Sequence, residues 1–92
     1  MLLEAFASEL KARRGKLSYS QEELAHRAEV NRTYIAKLEL ARNQPTLFVL
    51  FKLAKALRAD LPDLLRTTLD RYEAGLIREE KRAQSHLEGG TR

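Results

Sequence analysis

The sequence has no cysteine and no tryptophan, and it is sparing with two prolines, four glycines, three phenylalanines and three tyrosines. Without cysteine there are no disulfides and no thiolate metal sites, so stability must come from a packed core. So few glycines and prolines, beside many leucines and alanines, argue against short strands joined by frequent turns and for an all-α chain. No apolar run is long enough to cross a membrane, and Met1 to Leu10 carries Glu4 and Glu9, which breaks any signal-peptide core. The expectation is a cytoplasmic protein with no membrane partner.

Catalytic constellations are missing as well. No nucleophile sits with a base, no carboxylates cluster at useful spacing, and no glycine-rich phosphate loop occurs. His26 and His86 stand alone, without neighbours at ligand spacing. The chain therefore reads as a non-enzyme with no metal and no cofactor. There is no repeat of fixed period, and the one biased stretch is the short ending Glu88, Gly89, Gly90, Thr91 and Arg92.

Ninety-two residues suffice for one core and not for two, which suggests a domain over 1–73 and a helical, polar extension over 74–92. The net charge of +4 tolerates a polyanion without requiring one. Because the excess of lysine and arginine is spread along the chain, any nucleic-acid contact must come from individually placed side chains.

Helical spacing recurs from the start. Leu3, Phe6, Leu10 and Leu17 mark a first helix from about Leu2 to Leu17. Ser20 followed by Glu23 is a capping-box pattern that opens a second helix at Gln21, burying Leu24, Ala25 and Ala28. Only Glu29 and Val30 intervene before Asn31, a good N-cap, starts a third helix with Ile35 and Leu38 inward. The stretch Ala41 to Pro45 has turn chemistry, and Thr46 caps a fourth helix built on Leu47, Leu50, Leu53, Ala54 and Leu57. Asp60 and Asp63, with Pro62 in the first turn, suggest a fifth helix from Leu61.

Two short helices joined by a tight bend, the second exposing polar and basic residues near its start, form the module that sets a helix into the major groove of double-stranded DNA. If Ile35 and Leu38 face the core, then Arg32, Thr33, Ala36 and Lys37 face outward. Arginine can grip guanine with two hydrogen bonds, threonine can meet a thymine methyl, and lysine can reach a guanine or a phosphate. An ordinary solvated helix face is the plain alternative.

The run from Ser20 to Glu39, SQEELAHRAEVNRTYIAKLE, resembles the signature of Cro and phage-repressor (Xre) type regulators. Arg14, Leu17, Pro45 and Leu53 to Leu57 also match, so the resemblance covers roughly residues 3 to 66. The Asn31 to Ile35 stretch is in addition similar to restriction-modification controller proteins. The resemblance implies a five-helix, lambda-repressor-like fold with the helix-turn-helix at helices 2 and 3. It assigns base reading to Arg32, Thr33, Ala36 and Lys37, and DNA-backbone contacts to Gln21, Tyr34, Arg42, Asn43 and Gln44. Arg14 and Glu39 match a structural ion pair. The chain departs from the family at Glu29, where glycine is usual and a positive φ is expected, and at Leu40 and Ala41, where a polar residue and glycine are usual.

Beyond the core helices an apolar stripe continues through Leu61, Leu64, Leu65, Leu69, Tyr72 and Leu76, which a homodimer would use. Two copies would place paired reading helices one DNA turn apart, about 34 Å, on a roughly palindromic operator. Gly75 is expected to end or loosen this last helix, or Ile77 to Ala83 to extend it as a solvated continuation. The rival function is an adaptor that keeps the fold but binds a protein, such as a toxin or polymerase subunit, through Phe48, Val49 and Phe51 or through the long fifth helix.

Overall fold

The computed structural model describes residues 1–90, with side chains described to residue 84. Five helices follow one another: α1 (Leu2–Lys16), α2 (Gln21–Ala28), α3 (Arg32–Glu39), α4 (Leu47–Ala56) and α5 (Leu61–Gly90). Among the described residues there is no strand, and no helix is long and apolar enough to cross a membrane.

The starts of the three middle helices are set by their caps. Ser20 Oγ accepts from Glu23 N at 3.0 Å, Asn31 Oδ1 from Tyr34 N at 2.8 Å, and Thr46 Oγ1 from Val49 N at 3.1 Å. Each satisfies an N–H that the helix itself leaves without a partner. The capping box at Ser20 is only half formed, because the Glu23 carboxylate turns along the helix to Arg27. At the start of α5 the Asp63 carboxylate pairs with Arg66, and Asp60 contributes its backbone carbonyl to Leu64 N.

The first four helices are each followed by a left-handed residue, and none of these is glycine. Ser18, Glu29, Ala41 and Arg58 take φ of 56 to 58°. Glu29 (φ 58, ψ 43) makes the sharp bend between α2 and α3, with Val30 N closing onto Ala25 O at 3.0 Å. Left-handed backbone in an L-residue with a Cβ costs roughly 1 to 2 kcal/mol, which the packing of the two helices offsets.

Every helix contributes to one core. Leu10 from α1, Leu24 from α2, Ile35 and Leu38 from α3, Leu53 from α4 and Leu64 from α5 are all fully buried. Each such side chain contributes about 1.5 to 3 kcal/mol of burial, so the placement of α3 is strongly specified.

Two leucines are not where the sequence pattern put them. Leu47, expected in the core, is 72% exposed at the first position of α4, where the helix has just left the turn and has no neighbour above it. Leu64, expected on a dimer face, is 0% exposed because it plugs the core beneath α1 and α4, and Leu61 also packs partly against that core. Neither expectation survives for these two side chains. Helix α5 also runs unbroken through Gly75, whose missing side chain would meet nothing within 4 Å, so nothing in the surroundings forces an end there. Thr91 and Arg92, part of the expected tail, lie outside the described residues.

Candidate nucleic-acid interface

Helix α3 is anchored from below by Ile35 and Leu38, three residues apart on one face. That orientation leaves Arg32, Thr33 and Lys37 exposed and Ala36 half-buried on the opposite side. Ala36 supplies no polar group, and its small methyl leaves the surface between its neighbours low. The first turn of α3 contains no acidic residue, and the one carboxylate on the helix, Glu39, is buried at its far end. Among the described residues none of Arg32, Lys37 and Arg42 forms an ion pair. The outward face of α3 is therefore positive, and its cations are free to bind.

Behind this face lies a polar cluster that fixes the helix. Arg14 on α1 holds Glu39 with two hydrogen bonds, Nε to Oε2 at 2.6 Å and Nη2 to Oε1 at 2.9 Å, and donates from Nη1 to the Tyr19 carbonyl at 2.8 Å. Gln21 donates from Nε2 to Glu39 Oε1 at 3.0 Å. Burial alone would raise the Glu39 pKa, but the hydrogen bonds from Arg14 and Gln21 outweigh it and hold the carboxylate below its ordinary value. The cluster ties α1, α2 and α3 together. It also fixes the Gln21 amide at the start of α2, with its second N–H left over for an outside acceptor.

No local pattern points to that Gln21–Glu39 bond, since eighteen residues separate the partners. Tyr34 is half-buried against the core, and burial raises its phenol pKa. Its ring therefore spends part of its surface on packing.

The loop after α3 closes tightly in spite of the missing glycine. Ala41 takes the left-handed conformation, and Arg42 N returns to Lys37 O at 2.9 Å. This fixes where Arg42, Asn43 and Gln44 emerge. Arg42 and Gln44 are exposed and Asn43 is half-buried. The candidate interface thus gathers three elements: the start of α2, the outward side of α3 and the α3–α4 loop.

A second polar cluster was also missed. Glu9, buried on α1, accepts from Arg13 Nε (Oε2, 2.6 Å) and from Arg71 Nε of α5 (Oε1, 2.6 Å), while Arg13 Nη2 donates to Thr67 Oγ1 at 3.1 Å. Only the Glu9–Arg13 spacing of four residues was visible in the sequence as a helical ion pair.

Comparison with known proteins agrees with this geometry. A helix-turn-helix family model (HTH_3) matches residues 10–64, which span both polar clusters' α1 arginines and the whole of α2 to α4. Among solved structures, the clp gene regulator ClgR from Corynebacterium glutamicum superposes with a TM-score of 0.84 at 24% identity, over 90% of this chain and 88% of that one. The restriction-modification controller protein C.AhdI from Aeromonas hydrophila is 31% identical with a TM-score of 0.66, over 67% of this chain and 94% of that one. The controller protein C.Esp1396I, solved as a tetramer in complex with its natural 35 base-pair operator, has a TM-score of 0.72 at 24% identity, over 77% of this chain and 93% of that one. No curated protein sequence matches the chain.

Proposed function

The chain belongs to the helix-turn-helix family of DNA-binding transcription regulators, and from that premise we propose that it acts as a homodimer on a roughly palindromic operator, reading the major groove with α3. The observation that carries this reading is the unpaired, acid-free face of α3, presented outward by Ile35 and Leu38. Arg32, Thr33 and Lys37 meet base edges, with Ala36 allowing the approach. Gln21, Arg42, Asn43 and Gln44 hold the sugar-phosphate backbone, and Tyr34 adds what its packed ring leaves exposed. Such contacts fix register without reading sequence.

Dimerisation uses the exposed part of the α5 stripe, Leu65, Leu69 and Leu76 with half-buried Tyr72. Residues 1–73 are the DNA-binding unit and 74–92 its extension. The protein's own concentration sets promoter occupancy, with no cofactor.

Selection of binding sites from random DNA gives the operator, its symmetry and its half-site spacing together. On that operator Arg32→Ala should cost about 1 to 3 kcal/mol and relax preference at one base position. Arg42→Ala should weaken all sequences alike and lower the salt slope by about one. Uniform losses from both variants would show that α3 does not read bases.

One observation favours a second reading. Phe48 and Phe51 on α4 are 67% and 49% exposed, and Lys52 and Lys55 lie over their rings at 4.8 and 5.6 Å. This aromatic and basic surface suits an acidic, apolar protein partner, bound in addition to DNA or in its place. Loss of partner binding but not of DNA binding in Phe48→Ser would separate the two roles.

A further inference from the structure

Helix α5 carries two parallel lines of side chains. Leu64, Thr68, Arg71 and Gly75 follow one another at spacings of four, three and four residues and face α1. Leu65, Leu69, Tyr72 and Leu76 repeat that spacing one residue later, about 100° around the helix. The face that touches the body and the face available to a second copy therefore share the same turns.

Leu64 and Thr68 are buried, whereas past Thr68 no described residue of α5 is. Among the described residues, the one hydrogen bond from that part of α5 to another helix runs from Arg71 Nε to Glu9 Oε1. Its acceptor cannot swing freely. The other carboxylate oxygen of Glu9 is held by Arg13, which is itself held by Thr67. A short, charge-assisted bond to a fixed carboxylate defines an angle as well as a distance.

We propose that the Glu9–Arg71 contact sets the tilt of α5 against the DNA-reading body and thereby the half-site spacing that the dimer accepts. Glu9 and Arg71 are positioning residues for recognition, and the inference rests on the homodimer reading above. The molecule is 24 Å across its two short axes. Over that arm a tilt of about 8° moves a reading helix by roughly 3.4 Å, one base-pair step. The contact is well suited to set geometry without holding the fold together. Arg71 is 44% exposed, and Glu9 keeps Arg13 when Arg71 is removed.

The test uses the full chain and the selected operator, with the spacer between half-sites lengthened and shortened in single base-pair steps. Wild-type affinity should fall about tenfold on a one-step change, the size of a lost base contact. Arg71→Ala should keep its dimer dissociation constant and its single half-site preference, while the same step costs it less than about threefold. Glu9→Gln, which keeps the shape of the side chain, should flatten the profile in the same way and stands in if Arg71→Ala does not fold. A folded, dimeric Arg71→Ala or Glu9→Gln with the wild-type spacer profile overturns the inference. A wild-type protein that stays monomeric on its operator and shows no spacer optimum overturns the dimer reading, and this inference with it.

Discussion

Arg13 and Arg14 are neighbours on α1, yet they serve two different clusters. Arg14 turns to Glu39 and holds α3, whereas Arg13 turns to Glu9 and braces the contact to α5. Both clusters place a buried carboxylate between donors, but they differ in what surrounds them. The Glu39 side chain is 3% exposed and its arginine 20%, while Glu9 is 9% exposed and its α5 partner 44%. One region is locked and the other is guided. Rigidity at α3 suits the base-reading role proposed for it, whereas α5 beyond its buried turns needs only a defined direction.

Breaking the locked cluster should have the largest effect. Arg14→Ala leaves the Glu39 carboxylate buried with only the Gln21 amide, and stranding a charge in this way costs about 3 to 5 kcal/mol. Urea denaturation should show that loss, against about 1 kcal/mol or less for Arg71→Ala, whose partner stays paired and whose own side chain is half in water. Equal losses would erase the distinction between the two regions.

Acid should expose the same contrast more gently. In both glutamates burial raises the pKa, but the arginine hydrogen bonds outweigh it, so each titrates in the folded state below its ordinary value near 4.5. The unfolded chain thus takes up protons first. The stability from each carboxylate is fully present above about pH 4.5 to 5 and is lost as pH falls through the folded values. The denaturation midpoint should drop as the pH falls below about 4.5. Glu39→Gln and Glu9→Gln should each remove part of that acid dependence, and an unchanged acid limb in both would show that these pairs are not its source.

The locked region was the more legible of the two. Ser20, Asn31 and Thr46 announced three helix starts because capping is local chemistry within four residues. Glu29 stood where a left-handed residue was expected and adopts it, and Ala41, where glycine is usual, does so as well. The Arg14–Glu39 pair came from resemblance, since spacing alone does not join residues 25 apart.

The α5 side was harder to read for the same reason. Arg71 lies 62 residues from Glu9, and no helical period links them. Periodicity marked a leucine-rich stripe but could not say which of the adjacent Leu64 and Leu65 points inward, because a one-residue rotation of the helix exchanges them. Packing against α1 decides it. Leu47 failed for a related reason: a first-turn position shares the period of the core face without having the core above it.

Glycine is misplaced in both regions, which gives the smallest effects and a way to sharpen the comparison. At the exit of α3, Ala41 holds φ of 57° with a Cβ, while in α5 past Thr68 Gly75 sits in a helix with nothing within 4 Å of where its Cβ would lie. Ala41→Gly should stabilise by about 1 kcal/mol through relief of left-handed strain. Gly75→Ala should gain roughly 0.5 to 1 kcal/mol from reduced backbone entropy in a helix. The gains should appear in different places. The first should raise the global thermal midpoint, because α3 melts with the core, whereas the second should show mainly as slower hydrogen exchange in α5 past Thr68, where none of the helix's own described residues is buried. A global midpoint that rises equally for Gly75→Ala would mean that α5 past Thr68 folds as one unit with the body.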